Sequence, residues 1–189
     1  MRPIIAVYDA CVLYPAPLRS LLMYLAVGGW VQPRWTDEIH EEWMRSVARD
    51  YPDIPRPRIE RVRDLIDAAV PAGRVTGYER LTDTLSLPDT GDRHVLAAAI
   101  HARARVIVTF NLKDFPADTL AAHRIEAHHP DGFLVSLDDA SPGALIAAFQ
   151  RQRMSLRNPP MTADQLLATL QRQGLVQAVS RLRQSPELL

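Results

Sequence analysis

The chain has 189 residues and a mass of 21.2 kDa, which suits one domain, or one domain with a small appendage. Apolar residues make up 47% and charged residues 23%, a globular composition that excludes disorder as the dominant state. Basic and acidic residues balance at 22 each, which excludes a strongly basic nucleic-acid coat protein but not a nuclease.

Pro3 precedes Ile4-Ile5-Ala6-Val7-Tyr8, a β-rich apolar run that reads as a buried central strand ending at Asp9. Arg2 and the stretch Ile4–Leu13 faintly imitate a signal peptide, and Asp9 in the middle argues against one. Cys11 is the only cysteine, so an internal disulfide and a cysteine zinc site are excluded and a reducing cytoplasm fits. The spacing of Leu18, Leu21, Leu22 and Leu25 predicts a helix over 18–27, stopped by Gly28-Gly29. The longest strongly apolar stretch, Leu21 to Val31, is 11 residues. A spanning helix needs about 20, so no membrane partner is expected.

Trp30 to Trp35 is a weak strand interrupted by Pro33. Thr36 then looks like a helix cap, with Asp37 and Glu38 in the first turn, where the helix dipole favours negative charge. A helix follows over 37–49. Another is predicted over 58–70, after the prolines at 52, 55 and 57. Arg74–Tyr78 reads as a strand, Leu81–Gly91 as a polar loop and Asp92–Arg103 as an Ala- and Leu-rich helix. Arg105–Thr109 is the clearest strand, and Gly132–Ser136 reads as a further short one.

Strands alternating with helices predict an α/β fold, a mainly parallel sheet wrapped by helices. In such sheets the working groups sit at the carboxyl ends of the strands. After Asp138-Asp139 the pattern becomes all helical. Ser141-Pro142 reads as cap and first helical position of a helix to Leu156. Another follows Thr162, and a last one runs beyond Gly174 to Arg183. This divides the chain into a domain over 1–140 and a helical extension over 141–189. Six Arg against Asp164 and Glu187 give the extension a charge of +4, and 16 basic against 20 acidic residues give the body −4.

Acids gather at the predicted strand ends. Asp9 follows the first strand, and Glu38, Glu41 and Glu42 lie on the helix after the second. Asp92 opens the helix before the clearest strand, and Asn111 and Asp114 lie just beyond it. Each has a bland reading alone: a turn cap, or a solvated helix face. Together they converge on one edge. Two unit charges about 4 Å apart cost about 4 kcal/mol at an effective dielectric of roughly 20, so such a cluster calls for protons or cations. Oxygen ligands without cysteine select Mg²⁺ or Mn²⁺, the usual apparatus of phosphodiester hydrolysis. A histidine zinc site is not expected. His94 and His101 are seven apart on one helix, and His40-Glu41-Glu42 has Met44 where a second His belongs.

Four segments carry a resemblance: Val7–Leu13, Thr36–Trp43, Leu87–Ala99 and Val106–Phe115. In this order they resemble the PIN-domain nucleases, and among them the VapC-like toxins of toxin–antitoxin pairs. The resemblance implies a three-layer α/β/α fold and a Mg²⁺- or Mn²⁺-dependent endoribonuclease in the cytoplasm. Its partners would be RNA and a cognate antitoxin, with a homodimer left open. It implies Asp9, Glu42, Asp92 and Asp114 as catalytic acids, and Asp9, Asp92, Asn111 and Asp114 as metal ligands. Glu41, Glu38, Asp89 and the strand-end hydroxyl of Thr109 are second choices, and Arg93 and Lys113 are placed to neutralise phosphate. The family often has an acid where Asn111 stands, which lowers the charge of the site. Two alternatives stay open: a PIN-fold module without catalysis, and another Mg²⁺-dependent phosphotransfer enzyme. The second usually carries an acid where Cys11 stands. The extension either packs on the sheet or presents its apolar stripes to a partner.

Overall fold

The computed structural model describes residues 3–185 and 189. Arg2 of the signal-like stretch and Glu187 of the tail charge count lie outside the described residues.

Four strands form one parallel sheet in the order β2-β1-β3-β4: β1 (Ile4–Tyr8), β2 (Val31–Arg34), β3 (Val106–Val108) and β4 (Glu126–His128). β1 and β3 are central, and their residues Ala6, Val7, Tyr8, Ile107 and Val108 have no exposed surface. That explains their unbroken apolar runs, because both faces are covered. β2 holds Pro33 opposite Ala6. Proline fits there because β2 is an edge strand with no neighbour on its far side.

Eleven helices are described: α1 (Ala10–Leu13), α2 (Ala16–Val27), α3 (Asp37–Asp50), α4 (Arg56–Ala69), α5 (Glu79–Thr82), α6 (Arg93–His101), α7 (Ala117–Ala121), α8 (Pro130–Ala140), α9 (Ala144–Ser155), α10 (Ala163–Arg172) and α11 (Val176–Leu182). Short 3₁₀ turns cover Thr90–Asp92 and Leu112–Asp114. α6 packs on β1 and β3, and α2 packs on β2, α4, α9 and α10. The result is the PIN-like α/β/α arrangement with C-terminal helices. Among the described residues no single helix is long and apolar enough to cross a membrane.

Three segments differ from the sequence expectation. Gly132–Ser136 is not a strand but part of α8. His129 Nδ1 accepts from Asp131 N and Pro130 opens the first turn, while Phe133, Leu134 and Leu137 recur at helical spacing and are buried. The strand itself is Glu126–His128, a three-residue polar edge strand with no apolar run to announce it. Arg74–Tyr78 makes a single bridge, Arg74 to Trp35, before Gly77 turns the chain at φ +82°. Val75 and Tyr78 instead pack with Ala97 and Ala98 of α6. The helix expected from Ser141 begins at Ala144, behind Gly143 at φ +86°, a left-handed conformation that suits glycine.

α9, α10 and α11 share the core of the sheet domain. Phe149, Leu166, Leu170 and Val179 belong to the same buried cluster as Val7, Leu22 and Ile107. Asp131 of α8 accepts hydrogen bonds from Gln177 N (2.9 Å) and Ala178 N (2.8 Å), capping the first turn of α11 from another helix. Gln173 accepts from Leu18 N, and Gln152 donates to Pro17 O, tying the extension to the start of α2.

Candidate active site

Strand order reverses between β1 and β3, since β1 leads out to β2 on one side and β3 leads to β4 on the other. A crevice opens at the carboxyl edge of a parallel sheet at such a point. Asp9 ends β1 and Thr109 ends β3, and the Asp9 amide donates to Val108 O across the pair. Asp9 is 4% exposed and is held from three sides. One oxygen accepts from Ala10 N (2.6 Å), as the cap of α1. The other accepts from Thr109 Oγ1 (2.7 Å) and from the Cys11 thiol (3.1 Å). Asn111 N donates to the same Thr109 hydroxyl (3.0 Å), which fixes the turn after β3. Cys11 is no nucleophile here. Burial, then the Asp9 charge, pushes its thiol up to about 12.

α3 brings the second row of acids. Thr36 Oγ1 accepts from Ile39 N and starts the helix as the sequence predicts. Ile39, His40, Trp43 and Met44 are buried and fix its rotation. His40 is pinned further: Trp43 Nε1 donates to His40 Nδ1 (2.9 Å), and Asp67 Oδ1 takes both His40 Nε2 (3.0 Å) and Trp35 Nε1 (2.8 Å). With that face inward, Glu42 and Ser46 turn toward Asp9 and line the crevice. Glu41 is rotated away and pairs with Arg56 (2.9 Å) on α4, so this second-choice acid does not reach the crevice.

The crevice measures about 440 Å³, and Asp9, Glu42, Asp89, Asp92 and Asn111 line it together. Asp89 caps the 3₁₀ turn through Gly91 N (2.8 Å), which presents Asp92 at the entrance to α6. Burial, then the charges of Asp9, Asp89, Asp114 and Glu42, pushes Asp92 up to about 7. Asp114 therefore acts on the cluster by its field, although it does not line the crevice. Arg93 opens α6 half-buried, its Nε without a hydrogen-bond partner, and Lys113 is exposed.

Two features lie outside the site read from sequence. His94 is buried on α6, and its Nε2 lies 3.0 Å from Glu42 Oε1. Burial lowers its basicity, but Glu42, Glu38 and Asp9 outweigh it, so its pKa is raised. Tyr14, Arg49 and Asp50 form the crevice wall facing the acids. Tyr14 Oη donates to Asp50 (2.9 Å) and Arg49 Nε to the same carboxylate (2.7 Å). An i,i+4 count on the helix carrying Glu42 finds Ser46 and Asp50, so part of this wall was legible.

The arginine in the crevice wall, Arg49, is committed to Asp50, and carboxylates left without a cation of their own suit a hard divalent ion. An apolar hollow of about 410 Å³, lined by Ile4, Trp30, Phe133 and Leu137, has no acid in its wall.

Comparison with known proteins agrees with this geometry. A family model described as "PIN domain" matches residues 6–113, and one described as "VapC50 C-terminal domain" matches residues 130–184. The chain is 38% identical over 118 residues to the protein of Mycobacterium tuberculosis (strain ATCC 25618 / H37Rv) named "Putative ribonuclease VapC50". That match covers 60% of this chain and 69% of the relative. No solved structure matches the chain. The PIN model spans more than half of the sequence, from the first strand to the turn after β3 that carries Asn111, and the chain belongs to the PIN-domain family.

Proposed function

We propose that the protein is an endoribonuclease, the toxin of a toxin–antitoxin pair, working with Mg²⁺ or Mn²⁺ in the cytoplasm. The observation that carries this reading is the crevice itself: Asp9, Glu42, Asp89 and Asp92 line it together with Asn111 at the carboxyl edge of the sheet, and burial with the charges of its neighbours pushes Asp92 up to about 7. Asp9, Asp92 and Asn111 would hold the ion, with Asp114 beside them and Glu42 across the crevice. A bound divalent ion supplies the positive charge that offsets the carboxylates and polarises a phosphodiester.

The chain's own residues do the rest. Thr109, Ala10 and Cys11 hold Asp9 in one orientation, so its oxygens are fixed before substrate arrives. The open crevice admits a single strand. Arg93 and Lys113 meet its phosphates, which positions RNA without reading its sequence. An antitoxin, and a second copy of the chain, are the partners in this reading. Residues 1–140 carry the chemistry and residues 141–189 complete the core.

The test is cleavage of a mixed RNA pool with Mn²⁺, set beside calorimetric Mn²⁺ binding. Wild type is expected to bind and cleave, and Asp9→Asn to lose both. Wild type binding no Mn²⁺ at millimolar concentration would overturn the reading.

A further inference from the structure

Tyr14 lines two hollows. One is the acid crevice, and the other is a groove of about 620 Å³ walled by α3, α4 and the chain leading into α2. Asp50 in the crevice wall is followed directly by Tyr51 in the groove wall. The two spaces therefore meet at the Tyr14–Asp50 hydrogen bond (2.9 Å), and a strand leaving the acids on this side runs into the groove.

The groove has a different chemistry from the crevice. Among the described residues no acid lines it. Val47, Ile59 and Val62 make its wall apolar. Tyr51 is 53% exposed, so much of its ring is open to a ligand. Two guanidinium groups add positive charge. Arg19 lies 4.9 Å over the Trp43 ring and donates to Tyr14 O (3.2 Å), a carbonyl that leaves its charge uncompensated. Arg58 is exposed and makes no ion pair among those described. Gln173 of the C-terminal extension lines the same groove. Its Oε1 accepts from Leu18 N, and its amide N–H groups have no partner among the described contacts.

We propose that this groove holds an unstacked base of the RNA, one flanking the bond cut at the acids, with Tyr51 as its stacking platform and Arg58 on the adjoining phosphate. The proposal rests on the nuclease reading. The volume lies within the roughly 300–1,000 Å³ of small-ligand sites, enough for a base with its sugar. Proteins that hold single strands combine cations along the backbone with aromatic rings under the bases, and every base offers a π-face to such a ring. Uncompensated guanidinium charge favours a polyanion over an apolar protein segment, and continuity with the acids favours the strand being cut. The amide of Gln173 supplies hydrogen-bond donors toward a base edge, which makes the extension part of the substrate site.

The test is fluorescence anisotropy with a labelled single-stranded RNA, using the full chain with Asp9→Asn as the uncleaving parent. Adding Tyr51→Ala, at an exposed position, is expected to raise the Kd about 10-fold or more with the salt slope unchanged. Tyr51→Phe keeps the ring and is expected to bind within about twofold of the parent. Arg58→Ala is expected to weaken binding and to lower the slope of log K against log salt by about 0.7. Toward the same strand with abasic riboses in place of its bases, Tyr51→Ala and the parent are expected to bind equally. In otherwise wild-type protein, Tyr51→Ala is expected to leave calorimetric Mn²⁺ affinity unchanged. An unchanged Kd in Tyr51→Ala, the result if the groove takes a protein segment instead, overturns the proposal, as does an equal loss toward the abasic strand. Either result, beside intact binding by the parent, strikes the groove alone. A parent that binds neither strand strikes the nuclease reading and the groove together.

Discussion

Thr109 Oγ1 donates a 2.7 Å hydrogen bond to Asp9 Oδ2 across the carboxyl ends of the two central strands, joining residues 100 apart in the chain. Both are buried, and the same hydroxyl accepts from Asn111 N, so one atom orients an acid and a second polar group together. Thr109→Val keeps the shape and removes the hydroxyl. A buried charged acceptor that loses a donor costs about 1–3 kcal/mol. Cleavage is expected to fall about 10-fold or more, and Mn²⁺ affinity with it. Thr109→Ser is expected to restore most of both. Equal losses in the two variants would show that packing, not the hydroxyl, matters.

Asp92 gives a pH signature in metal-free protein. Burial and the charges of Asp9, Asp89, Asp114 and Glu42 raise it to about 7 from an ordinary 3.8. Between those values the folded state holds more protons than the unfolded chain, so stability falls as pH rises through that window. Below pH 4 the penalty is absent. Asp92→Asn removes it and is expected to stabilise the metal-free protein at pH 8 by on the order of 1–2 kcal/mol, allowing for solvent screening. In a domain of this size that is a Tm rise of about 3–6 °C, and none at pH 4. Mn²⁺ is expected to stabilise wild type at pH 8 and not the variant. Thermal melts at the two pH values, with and without Mn²⁺, read the difference.

The fold was legible where burial was two-sided. β1 and β3 are central, and their apolar runs are continuous. The misread parts are those where tertiary contact overrides local pattern. Glu126–His128 is a polar edge strand, so nothing apolar marks it, while Phe133, Leu134 and Leu137 are apolar for a helix face. The polar groups at this edge of the sheet were legible because topology alone gathers Asp9, Asp92 and Asn111 into one crevice. Glu42 and Glu41 were separable only once the buried face of Ile39, Trp43 and Met44 fixed the helix rotation. His94 was invisible as a partner of Glu42, because no local spacing relates residues on two helices.

Arg93 and Lys113 follow the crevice residues Asp92 and Asn111 by one and two positions without lining the crevice themselves, and neither makes an ion pair among those described. If they meet RNA phosphates, Arg93→Ala and Lys113→Ala each raise the Kd for a single-stranded RNA several-fold, across all sequences. Each also lowers the slope of log K against log salt by about 0.7. Fluorescence anisotropy with Asp9→Asn as the uncleaving background measures both quantities. An unchanged slope in both variants would place these residues outside the RNA path.

The C-terminal extension is joined to the sheet domain by Asp131, which caps α11 with both carboxylate oxygens. Asp131→Ala strands two N–H groups, that of Ala178 buried and that of Gln177 partly so. It is expected to cost about 1–3 kcal/mol, and Asp131→Asn less, since its amide still offers one acceptor. The larger effect is truncation. Leu145, Phe149, Leu166, Leu167, Leu170, Leu175, Val179 and Leu182 are at most 1% exposed. Each such side chain contributes about 1.5–3 kcal/mol by burial. A few of them outweigh a net stability of about 5–15 kcal/mol. A chain ending at residue 140 is therefore expected to lose cooperative melting and Mn²⁺ binding together, although the acids lie elsewhere. A sharp thermal transition in that fragment, with metal affinity intact, would establish residues 1–140 as an independent domain and the extension as an addition to it.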